Sequence, residues 1–199
     1  MYRLDYQYSH DIDWFCRING APVHMASNGG HLPNCYTIEQ LVSLQHRVAN
    51  MRNNYRCAVN IGYLEDYLRQ DEFLNNMGEF SDEEYRLMLP EEFELSDDIK
   101  DLPKHIMVYA WSFIEMAKKG FFSFDRGQNV DGVDIYHLVA RPLLGNRHPR
   151  VLEEFDDLHQ YRMCCIPPSH PDYDPGNLPK YIRFHDQPEF EHFTIISQE

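Results

Sequence analysis

Residues 102–119 constrain the fold more than any other stretch of the chain. At 100° per residue, Lys104, His105, Ser112, Glu115 and Lys119 fall in one narrow stripe. The remaining circumference is Ile106, Met107, Val108, Tyr109, Ala110, Trp111, Phe113, Ile114, Met116 and Ala117. A helix that is apolar most of the way round is stable only when other elements cover it. The pattern therefore predicts a central buried helix over Leu102–Lys119, with Asp101 as N-cap and Gly120 as a left-handed stop. The apolar segment from Ile106 to Ala117 is broken by Ser112 and Glu115 and is too short to span a bilayer.

The N-terminal part supplies a surface for that helix. In Asp11–Ile18, Ile12, Trp14, Cys16 and Ile18 share one face, and Asp11, Asp13, Phe15 and Arg17 share the other. Asn19-Gly20 follows, a pair that tolerates the positive φ angles of a two-residue hairpin turn. A return strand over Ala21–Ser27 then sets Cys16 opposite Val23, Trp14 opposite Met25 and Phe15 opposite His24, with Asp13 diagonal to that histidine. Tyr2–Ser9 offers a third strand. On this reading His24 packs over Phe15 as a surface pair, with a carboxylate–imidazole pair between Asp13 and His24 as the alternative, and Phe15 is an aromatic awaiting another element or a partner.

Two capping boxes punctuate the middle of the chain. Thr37-Ile-Glu-Gln40 opens a helix to about Asn53, and Ser81-Asp-Glu-Glu84 opens a short one that Pro90 ends. Between them an apolar passage over Cys57–Ile61 leads into a helix from about Tyr63 to Met77, stopped by Gly78. Beyond Gly120, Phe121–Phe124 and Val133–Ala140 read as strands around a turn-rich Asp125–Gly132, and Arg150–Tyr161 reads as an amphipathic helix. Six prolines crowd residues 164–199, so that part reads as an irregular tail wrapping the body, with short strands over Lys180–His185 and His192–Ser197. The expected architecture is one α+β domain over residues 1–199: an antiparallel sheet begun by the hairpin, with helices packed on it.

Cysteine use and charge restrict what such a chain does. Five cysteines, two of them adjacent and none in C-x-x-C spacing, argue for reduced thiols in a cytosol-like compartment. Met1–Ser9 lacks the apolar run of a signal peptide, which also points to a cytoplasmic protein. The formal net charge is −14, and residues 63–102 hold fourteen Asp and Glu against three Lys and Arg. Without a basic stripe, a chain gains little from releasing phosphate counterions, so nucleic acid and anionic membranes are poor partners.

That acidic block suits an interaction module whose carboxylates steer a basic protein, in the general manner of an inhibitor or immunity protein. Its expected contact residues are Asp82, Glu83, Glu84, Glu91 and Glu92, with Tyr85 and Phe93 as anchors. No cofactor is expected on this reading. The alternative is a metal-dependent hydrolase with a divalent transition metal at His185, Asp186 and His192, since imidazole and carboxylate are suitable ligands. A homo-oligomer that buries exposed aromatics between copies is a third possibility. The Ser27-Asn-Gly-Gly30 loop lacks a phosphate-loop pattern and reads as a turn, and Cys164-Cys165 reads as a pair of buried thiols.

Overall fold

The computed structural model describes residues 11–18, 21–29, 32, 36–70, 80–91, 93, 96–97, 99–130, 133–143, 155, 157–158, 160–164, 181–185 and 192–195. Eight strands are present among them: β1 (Asp13–Ile18), β2 (Ala21–Ala26), β3 (Cys57–Val59), β4 (Phe122–Val130), β5 (Val133–Pro142), β6 (Gln160–Cys164), β7 (Tyr181–His185) and β8 (His192–Ile195). The helices are α1 (Ile38–Ala49), α2 (Ile61–Gln70), α3 (Asp82–Met88) and α4 (Lys104–Lys119). No helix among the described residues is long and apolar enough to cross a membrane.

The hairpin has the register its alternation requires: Trp14 faces Met25, Phe15 faces His24 and Cys16 faces Val23. The sheet it begins is mixed, which corrects the expectation of an antiparallel one. β2 runs parallel to β4, with Val23 against Phe122 and Met25 against Phe124. β1–β6 and β6–β8 are parallel as well, while β4–β5, β3–β5, β5–β7 and β7–β8 are antiparallel. The cause is topological. α1 to α4 all lie between β2 and β4, and a connection carrying helices over one face returns the chain in its original direction. The strand order is β3-β5-β4-β2-β1-β6-β8-β7, and the further β5–β7 pairing joins the last strand back to the second.

Both faces of the central strands are buried. On one, Trp14, Met25, Phe124 and Leu138 form a row across four strands, beside a second row of Cys16, Val23 and Phe122. Tyr136 meets Trp14 edge-on, with ring centroids 6.4 Å apart. Each such side chain taken from water contributes about 2–3 kcal/mol, so these rows carry much of the core. The opposite face is covered by α4, which packs Ile106, Ala110, Ile114 and Ala117 against Ala26, Val139 and Ala140. α1 packs alongside over β1, burying Leu41, Leu44 and Val48.

Local signals explain the element ends. Thr37 and Gln40 close a reciprocal capping box at α1, and Ser81 and Glu84 do the same at α3. Gly120 caps α4 with φ 106°, a left-handed conformation that an L side chain resists. Three expectations are corrected. α4 starts at Lys104 after Pro103, with no side-chain cap, rather than from an Asp101 cap. Residues 125–130 belong to β4, because pairing with β5 overrides their turn composition. The segment read as a helix over 150–161 holds a non-helical stretch around Asp157 and Leu158, and Gln160–Tyr161 already lie in β6. There the side chains have tertiary work: Phe155 packs edge-on against Phe121 at 6.0 Å, and the Arg47 guanidinium lies 4.4 Å above the Phe155 ring. The proposed strand over Tyr2–Ser9 lies outside the described residues.

Replacing Gly120 by Ala is expected to lower stability by about 1–2 kcal/mol, the cost of forcing a Cβ into left-handed backbone. Urea unfolding measures this, and an unchanged midpoint would show that another residue terminates α4.

Candidate functional site

The sheet face beneath the helices carries the chemistry. Strand register aligns its residues in two neighbouring rows: Asp13, Ala26, Asp125 and His137 in one, Phe15, His24 and Ser123 in the other. The polar face of the hairpin is thus an interior surface. His24, expected on the solvent side, is only 1% exposed, and Phe15 is buried against Phe121 at 5.3 Å.

In the second row, His24 Nδ1 lies 2.6 Å from Ser123 Oγ. Its Nε2 lies 3.1 Å from Asp13 Oδ1, an ionic contact without hydrogen-bond alignment. Burial pushes the Asp13 carboxyl up, but the charge and hydrogen-bonding capacity of His24 outweigh it and hold the group below its usual range. Asp13 keeps 41% of its side chain exposed, so its interaction with His24 is partly screened. Asp, His and Ser in contact are the residue types of a nucleophilic triad. A triad serine must reach substrate, however, and Ser123 is wholly buried between β2 and α4. Here His24 pairs with Ser123 and meets the charge of Asp13 within a polar seam.

In the first row, β4 and β5 set Asp125 directly across from His137. Tyr109, reaching down from α4, places its hydroxyl 2.5 Å from Asp125 Oδ2 and 3.2 Å from His137 Nε2. Tyr63 and Tyr67 of α2 cover the imidazole, with ring centroids 4.9 and 4.6 Å from it. Gly127 leaves room for this ring. It is the extra residue of a bulge between Arg126 and Gln128, and a Cβ there would stand 2.8 Å from His137 Nδ1.

Burial dominates the electrostatics of this row. It drives the His137 pKa down to about 3, so the ring is neutral. It raises the Asp125 carboxyl to about 7, and the charge of Asp11 adds to that rise. Hydrogen bonds from Tyr109 and the Arg126 backbone, with the His24 charge, oppose it without cancelling it. Burial and the facing Asp125 likewise raise the Tyr109 phenol far above its ordinary range.

The expected partner-binding residues lie elsewhere, on and after α3. Glu83, Glu84 and Glu91 are exposed, and Tyr85 is half-buried with its ring edge-on to Phe80 at 5.9 Å. Glu84 also closes the helix cap, accepting from the Ser81 hydroxyl at 2.7 Å and the Ser81 backbone N–H at 2.6 Å, which hold its carboxyl below the usual range. Phe93 is a correction to its reading as an anchor. It is only 6% exposed and lies beneath the Lys118 ammonium, 5.3 Å from ring centroid to Nζ. Leu87 was absent from the expected set, yet it is 79% exposed, and neighbouring Met88 is 39% exposed. The side chain of Asp82 and the whole of Glu92 lie outside the described residues.

Of the alternative metal set, His185 ends β7 and His192 starts β8, while Asp186 lies outside the described residues. β7 and β8 pair antiparallel, with Ile182 against Ile195 and Arg183 against Thr194. Among the described residues no group of three His, Cys, Asp or Glu side chains is placed to hold a metal ion. Cys16 and Cys57 are buried. A shallow groove of about 550 Å³ follows the outer side of α1 past Ile38, Val42, His46 and Arg47, and no residue of the polar rows lines it.

Sequence reasoning foresaw the contact of Asp13 with His24 but not its burial, and it missed Ser123, Asp125, Tyr109 and His137. One signal was available in Phe122-Ser-Phe-Asp125, whose alternation puts Ser123 and Asp125 on one strand face. No family model matches the chain, no curated protein is similar to it, and no solved structure matches it.

The raised Asp125 pKa has a defined stability signature. The folded state keeps a proton that the unfolded chain releases above about pH 4, so stability falls from there until the folded carboxyl ionises near pH 7. Asp125→Asn removes this dependence. Relative to wild type, the variant should gain roughly 3 kcal/mol between pH 5 and pH 8 in urea unfolding. Parallel pH profiles for the two proteins would show that Asp125 ionises in the fold at an ordinary carboxylate pKa.

Proposed function

We propose that this chain is a protein-interaction module that engages a basic protein through the surface of α3 and the acidic turn after it. The observation that carries the reading is Leu87, 79% exposed on a helix whose exposed neighbours include Glu83, Glu84 and Glu91. A large apolar side chain in that position gains nothing from folding the monomer, and a partner that covers it recovers the burial energy. Residues 80–101 hold nine carboxylates against Arg86 and Lys100, and Lys100 is already paired with Asp97 at 3.2 Å. The partner that complements such a surface has an apolar pocket rimmed by Lys and Arg. In that arrangement the carboxylates accelerate encounter and Leu87 with Met88 slows departure.

A second reading is the metal-dependent hydrolase alternative, favoured by His185 at the end of β7 and His192 at the start of its antiparallel partner β8. Metal content distinguishes the two. A stoichiometric transition metal that is lost in His185→Ala supports the hydrolase.

The interaction reading is tested by low-salt affinity capture from lysate of the source organism. Wild type is compared with Leu87→Ser and with a triple variant, Glu83→Gln, Glu84→Gln and Glu91→Gln, in which the side-chain amide introduced at position 84 preserves the cap. The expected result is one basic protein held by wild type, reduced at least tenfold by Leu87→Ser and released from wild type by moderate salt. The triple variant should bind it more slowly and with a flatter salt dependence. Equal recovery by all three proteins would remove α3 as the binding surface.

A further inference from the structure

We infer that His137, Tyr109 and Asp125 form a proton relay, a pH-responsive device that connects the β4 bulge to the carboxyl buried under α4. One hydroxyl serves two partners. Tyr109 Oη stands 2.5 Å from Asp125 Oδ2 and 3.2 Å from His137 Nε2, and it has a single proton to donate. When Asp125 is ionised, the hydroxyl donates to the carboxylate, and neutral His137 donates Nε2–H to the phenol oxygen. When Asp125 is protonated, every bond in the chain reverses. The carboxyl donates to the phenol oxygen, the phenol donates to Nε2, and the imidazole carries its proton on Nδ1.

The two states differ by one proton, and the conversion balances. A proton from solvent binds His137 Nδ1, and the Nε2–H bond breaks as its proton passes to Tyr109 Oη. The original phenol proton then moves to Asp125 Oδ2. The imidazole begins and ends neutral, so no charge remains on a ring that burial keeps from protonating near neutrality. His137 is only 1% exposed, and its entry atom Nδ1 packs against the backbone of half-buried Gly127 at the bulge, which has no side chain to separate the ring from the surface there.

The surroundings tune this relay. From β2, His24 acts on Asp125 through its charge, but its own nitrogens contact Ser123 and Asp13. Before β1, Asp11 raises the carboxyl while accepting from the Asn28 backbone N–H at 2.7 Å. On β4 itself, the Arg126 guanidinium donates to the Asn28 carbonyl at 3.0 Å. From α2, Tyr63 and Tyr67 contact the imidazole and raise the Tyr109 phenol further. Uptake of one proton near neutral pH therefore changes the donor pattern at a point where α2, α4, β4 and β5 meet.

Nitrogen-15 NMR of the imidazole in the full chain reads this directly. Wild-type His137 should be neutral from pH 5 to 9, with the Nε2–H tautomer dominant at high pH and Nδ1–H at low pH. The exchange should share its midpoint with the Asp125 carboxyl carbon shift. Asp125→Asn should abolish the pH dependence of the tautomer. Tyr109→Phe should leave His137 in one tautomer while Asp125 still titrates. A wild-type ring that keeps one tautomer throughout, or becomes imidazolium in this range, overturns the relay whatever the variants do.

Discussion

Parallel pairing of β2 with β4 brings together two strands that are separated in the chain by α1, β3, α2, α3 and α4. Every described helix therefore belongs to one crossover. The strand pairing that closes it also fixes where those helices sit. Loop closure over so long a connection has an entropic cost that grows only slowly with length, but the contacts repaying it must be made at the seam itself. They are made on both sides: Met25 against Phe124 and Val23 against Phe122 on one face, His24 against Ser123 on the other. Without this pairing α4 would keep β3, β5 and β4 beneath it but lose Ala26 of β2 from the surface its apolar circumference covers.

The seam shows how charge and burial are reconciled in this molecule. An unpaired polar group under a helix costs on the order of 1–3 kcal/mol, so the polar residues on this face are set in contact with one another. His24 stands between Ser123 and Asp13, and Tyr109 bridges Asp125 and His137. Surface charge has a different organisation. Glu83 and Glu84 of α3 face water beside Leu87 and leave the interior to paired polar groups. The surface proposed to meet a partner and the polar seam thus lie in separate parts of the chain, and α3 packs on α4.

Much of the fold was legible because local chemistry specified it. The alternation of Asp11–Ile18 with Asn19-Gly20 fixes the hairpin register, Thr37 and Ser81 mark helix starts, and Gly120 marks an end. What could not be read was set by distant contacts. The sheet is mixed because the helical crossover returns β4 parallel to β2, and no residue near Ala26 or Phe122 encodes that direction. Asp125 looked like turn material until β5 paired with it, and Phe93 looked like an exposed anchor until Lys118 lay over it. Leu87 was overlooked for the opposite reason: an isolated leucine in a short helix is ordinarily buried, and only the packed structure shows it turned outward.

Native-state hydrogen exchange tests most directly whether the β2–β4 seam holds the fold together. Backbone amides that pair Val23–Ala26 with Phe122–Asp125 should exchange only through global unfolding, with protection matching the denaturation free energy, while those of α3 should open at far lower cost. Seam amides that exchange as readily as those of α3, while α1 and α4 remain protected, would contradict the account and place the stabilising centre among the helices.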